Sequence, residues 1–187
     1  MGSTKPRAAR PSQITDEFWV WVEMTNQPPY DESWGGKWQI FVDRAHVDKA
    51  WTNVAALVLA GELGPSAKVS TARPNPNAVG GPDAHVVIVY ARDWRDLTDL
   101  RRILRKLREI GLAQGWVHFK RDRETLTGAY TVRGRTGVSV WNAPPGIDEI
   151  TTKWVTGKRL TVTDQNEADV VVAISSKDTP SPGLATS

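Results

Sequence analysis

The sequence contains no cysteine among its 187 residues. That excludes a disulfide framework and any thiolate metal site. Histidine is scarce as well: His46, His85 and His118 are the full set, and none falls in an HExxH spacing. No metal site is expected from them. GxSxG, Walker A and GxGxxG motifs are all missing, which removes the familiar hydrolase, NTPase and dinucleotide readings. No apolar run approaches the roughly 18 residues needed to cross a bilayer. The opening stretch "MGSTKPRAARPS" has no apolar segment of the kind a secretory signal requires. The expectation is a cytoplasmic protein with no resident cofactor, no membrane partner and no disulfides.

Acidic residues are absent from the first twelve positions, where Lys5, Arg7 and Arg10 account for the whole formal charge of +3. The rest of the chain balances 21 basic against 21 acidic residues. Such a balance argues against a domain that holds duplex DNA mainly by its overall charge, so any anion binding must come from local clusters. Tryptophan, in contrast, is abundant, with nine copies. Core packing absorbs some of them, and aromatic platforms for a ligand are the other use.

Pro, Ala and Arg without periodicity mark residues 1–13 as a disordered arm, and "SSKDTPSPGLATS" marks 175–187 as a matching tail. One domain is expected over 14–174. Within it "EFWVWVEM" and "GKWQIFV" read as strands joined by a Pro-containing loop. In 45–64, Val47, Trp51, Val54, Ala55 and Val58 recur at helical spacing. "AKVST" and "AHVVIVYAR" are strands on either side of a breaker-rich loop. The clearest helix is 96–112, with Leu97, Leu100, Leu104, Leu107 and Ile110 as its apolar stripe, Asp96 as cap and Gly111 as stop. "WVHFKRD", "GAYTVRG", "GVSVWN", "TKWVTG", "RLTVTD" and "ADVVVAI" follow as short strands. The order ββαββα and then strands suits an α+β fold, a mostly antiparallel sheet with two helices on one face and the other face open.

Side chains alternate along a strand. Lys68 thus shares a side with Ser70, Tyr90 with Val86, Ile88 and Arg92, and His118 with Trp116 and Lys120. If these sides coincide, Lys68, Tyr90, Arg92, His118 and Lys120 meet on one patch able to bind a phosphate, or to supply a Lys base and a His acid. An ordinary solvated face with the same residues is the plain alternative. Arg121, Arg123, Arg133 and Arg135 form a second basic group, suited to an anion or RNA backbone if their strands pair. Trp34, set among Ser33 and two glycines, is a candidate for stacking a base, with core packing as its alternative; Trp51, Trp38, Trp141 and Trp154 read as core.

The segment "GGKWQIFV…VDKAWTNVAALVLAGELGPSAKVST", with weaker support from "HVVIVYARDW" and "GWVHFKRD", resembles the basophilic-leukaemia-expressed protein family. It is also similar to bacterial proteins labelled phosphothreonine-lyase domain proteins. The resemblance implies the fold of the cap-binding translation initiation factor, a curved antiparallel sheet backed by helices. In that factor two loop tryptophans sandwich a methylated guanine; Trp34 lies in the matching first loop, whereas 72–83 holds no Trp. The lyase label implies elimination of phosphate from phosphothreonine by a Lys base and a His acid, for which Lys68 and His118 are the candidates. The leading expectation is a domain that binds a phosphorylated ligand, a nucleotide or RNA end, on the open sheet face. A phosphate-eliminating lyase and a protein-interaction module built on exposed Trp are the competing classes.

Overall fold

The computed structural model describes residues 9–75, 83–122, 139–146, 150–152, 154–155, 158–165 and 169–176. The alternating stretches "WVWVE" and "GKWQIFVD" form β1 (Trp19–Glu23) and β2 (Gly36–Asp43). Next comes α1 (Arg44–Leu59), which buries Val47, Ala50, Trp51, Val54 and Val58 on one stripe. Gly61 follows at φ +74°, the left-handed conformation that glycine adopts without a Cβ penalty, so α1 stops short of Gly64. Then come β3 (Ser66–Ser70) and β4 (Ala84–Ala91). The strongly amphipathic α2 (Leu97–Glu109) buries Leu100, Ile103, Leu104 and Leu107. Its start is capped by the Asp96 carboxylate, which accepts from Asp99 N at 2.9 Å. Its end passes into Gly111 at φ +81°.

β5 (Val117–Arg121), β6 (Ser139–Ala143) and the short β7 (Thr151–Thr152) complete a seven-stranded sheet in the order β1-β3-β4-β2-β5-β6-β7. Every neighbouring pair in it is antiparallel. Both helices bury their stripes in one cluster with Trp38, Ile40, Val69, Val87, Val89, Phe119 and Trp141, so both cover the same sheet face. The fold is therefore α+β, a curved antiparallel sheet with helices on one side. β8 (Trp154–Val155), β9 (Lys158–Gln165) and β10 (Asp169–Ser176) pair among themselves as a separate three-stranded sheet. No helix among the described residues is long and apolar enough to cross a membrane.

Two boundaries differ from expectation. Pro11–Gln13 form a short 3-10 turn with Pro11 buried, so the arm assigned to 1–13 is structured by its end. The Ser12 amide and hydroxyl donate to the Asp48 carboxylate at 3.0 and 2.7 Å, which ties this turn to α1. At the other end Ser175 and Ser176 belong to β10 rather than to a tail. "GAYTVRG", with Arg133, lies outside the described residues, as do Arg123 and Arg135.

Candidate functional site

Register decides which strand faces coincide. Trp21 pairs with Lys68, Lys68 with Ile88, Ile88 with Gln39, Gln39 with His118, and His118 with Asn142. Two residues along, Tyr90 pairs with Lys37 and Lys37 with Lys120. These two rows are of one parity, so Trp21, Lys68, Tyr90, Lys37, His118 and Lys120 all stand on the face away from the helices. Val117 and Phe119, of the opposite parity on β5, are buried under α2.

That face holds a cavity of about 460 Å³. Its floor is β1, β3, β4 and β2, through Trp21, Lys68, Tyr90 and Lys37, and its wall is the loop after β1, through Gln27, Pro28, Tyr30 and Glu32. Trp21 and Tyr90 stack, with ring centroids 5.8 Å apart and planes inclined by 14°. The Lys68 ammonium sits 4.4 Å from the Trp19 ring centroid, 4.5 Å from Trp21 and 5.9 Å from Tyr90. Three ring faces thus hold one cation. Burial among them, and secondarily the positive charge of Lys37, lowers the Lys68 pKa to about 8, against a smaller opposing pull from Asp122.

Beneath Lys68 lies a buried polar group. Lys37 Nζ is 2.7 Å from Asp122 Oδ1, both side chains being about nine-tenths buried. The Tyr30 hydroxyl donates to Asp122 Oδ2 at 2.6 Å and lies 3.2 Å from the Ala91 carbonyl. Burial first, then the hydrogen bond to the Asp122 carboxylate, pushes the Tyr30 phenol far above its ordinary range, so it stays protonated. Gly35 makes room for it: a Cβ there would stand 2.1 Å from the Tyr30 hydroxyl oxygen. Arg92 reaches the same wall, donating to the Pro28 carbonyl at 3.2 Å and to Gln27 Oε1. Around the cavity Lys37, Lys68 and Arg92 face Glu23, Glu32 and Asp122. The charge is balanced, and the Lys37–Asp122 pair is spent internally.

The cavity gathers Lys68, Tyr90 and Arg92 but leaves out His118, Lys120, Arg121 and Trp34. His118 is on the expected face, yet three strand steps from Lys68, roughly 14 Å at about 4.8 Å per step. Its Nδ1 is 2.6 Å from Asn142 Oδ1. Lys68 leans the other way, toward β1. A base and an acid acting on one phosphothreonine must straddle a single Cα–Cβ bond, so Lys68 and His118 do not form that pair. Arg121 points to the opposite face and lies 5.0 Å from the Trp94 ring centroid. Trp34 is covered by the Arg95 guanidinium 3.6 Å from its centroid, and Arg95 is held in turn by Asp93 at 2.7 Å. Its exposed ring therefore serves a local stack rather than the cavity.

Trp21, Tyr30, Lys37 and Asp122 escape a reading of sequence alone. The alternation in "WVWVE" already puts Trp19, Trp21 and Glu23 on one side. Nothing local signals that Lys37 pairs with a residue 85 positions away.

Residues 32–124 match the family described as basophilic leukemia-expressed protein Bles03. No curated protein sequence matches the chain. Among solved structures, the chain is similar to Ascaris suum eIF4E-3 in complex with the m7G cap, at 16% identity and TM-score 0.41 over 55% of this chain and 61% of that one. It is similar at 16% identity and TM-score 0.43 to the same protein with the m2,2,7G cap, over 71% and 68% of the two chains. C. elegans eIF4E-3 with the 4E-binding protein Mextli and a cap analog gives 16% identity and TM-score 0.45 over 58% and 65%. The chain thus spans about three fifths of the first of these structures.

Proposed function

We propose that this chain, whose residues 32–124 match the Bles03 family, binds a phosphorylated aromatic ligand, a nucleotide or the end of an RNA, in the cavity on its open sheet face. The observation that carries the reading is the convergence of Lys68 and Arg92 with the stacked Trp21 and Tyr90 around one space of about 460 Å³. Pockets of that size suit a small ligand, with apolar walls and a few placed polar groups. The rings offer a base an apolar surface, and the guanidinium and ammonium offer a phosphate its donors.

Charge narrows the ligand further. With Lys37 neutralised by Asp122, two cations remain against Glu23 and Glu32 at the rim. Lys68 and Arg92 can both donate to one phosphate, whereas the further phosphates of a triphosphate would meet Glu23 and Glu32 with no cation left to pair with them. Titration of mono- and triphosphate nucleotides, followed by Trp fluorescence, tests this. The expected result is saturable quenching, tighter for the monophosphate and weakened at least tenfold by Lys68→Ala and by Arg92→Ala. A flat signal with every nucleotide overturns the reading.

A further inference from the structure

Lys68 differs from every structural lysine that an ion pair would explain. Lys37 has Asp122, and Lys106 has Glu62 and Glu109. Among the described residues no carboxylate lies within ion-pair distance of Lys68, and its contacts are three aromatic rings. The charged groups around it are Lys37, close enough to repel, and Glu23, Glu32, Arg92 and Asp122 about the same cavity. A lysine that is desolvated and set beside a second ammonium is the arrangement that turns an amine into a nucleophile near neutral pH. Its pKa of about 8 agrees, leaving a sizeable neutral fraction under ordinary conditions.

We infer that Lys68 is a nucleophilic amine that forms an imine with a phosphorylated aldehyde entering the cavity. The inference uses the cavity that the nucleotide reading uses, and asks for a different chemistry in it. The neutral Lys68 nitrogen attacks the carbonyl carbon, and the C=O π pair moves to oxygen, which takes up the proton the nitrogen sheds. Loss of that oxygen as water, with the second amine proton, leaves a C=N bond. Amine and aldehyde give imine and one water, with no oxidant or reductant. The ammonium must first give up its proton to solvent, which also frees the rings of Trp19, Trp21 and Tyr90 from their cation, so an aromatic aldehyde can lie against Trp21 while Arg92 takes its phosphate.

The probe is pyridoxal 5′-phosphate with the full-length protein near pH 8, read by imine absorbance, then by borohydride reduction and peptide mass mapping. The expected result is one reduced adduct per chain, on Lys68, with pyridoxal lacking the phosphate needing at least tenfold higher concentration. Lys68→Arg keeps a cation but no nucleophile, and should abolish the adduct, whereas Lys49→Arg, at an exposed lysine outside the cavity, should leave it unchanged. Arg92→Ala, with Lys68 intact, should raise the half-saturating concentration several-fold. Label spread over surface lysines such as Lys49, unchanged in amount by Lys68→Arg, overturns the inference. Nucleotide binding without an adduct does so too, whereas an adduct without nucleotide binding sinks only the nucleotide reading.

Discussion

Lys37 and Asp122, 85 residues apart, meet at 2.7 Å in the cavity floor with almost no solvent access. The pair joins the start of β2 to the residue just after β5, and Tyr30 brings the loop after β1 onto the same carboxylate. One buried ion pair therefore fixes the floor and the wall of the candidate site together.

Breaking that pair from one side should be costly. Asp122→Asn leaves a buried ammonium without a counter-charge, a change worth roughly 3–5 kcal/mol. Urea denaturation should show a loss of that order. The double variant Lys37→Met/Asp122→Asn, which buries no unpaired charge, should recover part of it. Equal losses in the single and double variants would remove the ion pair as the cause.

Lys68 should leave a signature in the pH dependence of stability. Its folded pKa, about 8, lies below the ordinary lysine value of 10.5, because burial disfavours the ammonium. Between those two values the unfolded chain binds more protons than the folded one, so stability rises with pH across this window. Below about pH 8 the penalty is fully present; above about 10.5 it is gone. Relative to wild type, Lys68→Met should be more stable at pH 7 and lose that advantage between pH 8 and 10.5. Parallel stability curves for the two proteins would contradict the assignment.

The sequence carries the sheet face well and the site poorly, for different reasons. Alternation in "AHVVIVY" and "WVHFK" is a local property, so the outward direction of Tyr90, His118 and Lys120 follows from it. Distance along the face is not local. It depends on β4 and β2 entering between β3 and β5, which places His118 beyond the reach of Lys68. Trp34 shows the complementary limit. Its glycine neighbours suggest a ring left for a ligand, but Arg95, 61 positions later in the chain, already lies on it. Trp21 and Asp122 acquire their roles only through partners that periodicity cannot name.

Two of the exposed tryptophans, Trp21 and Trp34, should therefore behave differently. Trp21 forms part of the cavity and stacks on Tyr90, whereas Trp34 stacks on Arg95 outside it. Trp21→Ala should remove most of the ligand-induced quenching and weaken nucleotide binding about tenfold or more, in line with roughly 1–3 kcal/mol per stacked base. Trp34→Ala should leave the dissociation constant within about twofold. The reverse pattern would move the site to the Trp34 end of the sheet.

Gly64 tests how tightly the helix side supports the site. A Cβ at Gly64 would stand 1.7 Å from the Tyr90 carbonyl oxygen, which is strand backbone and cannot swing aside. Gly64→Ala must therefore displace β4 at the residue whose ring floors the cavity. Overpacking of this kind costs about 1–3 kcal/mol, and backbone contact puts Gly64 at the upper end. At Gly115 an added Cβ meets nothing within 4 Å, so Gly115→Ala is the matched control. Thermal unfolding should show a large drop for Gly64→Ala and none for Gly115→Ala. The Gly64 variant should also lose the quenching that reports on Tyr90 and Trp21. Equal melting temperatures for the two variants would mean that β4 does not pass where the cavity requires it.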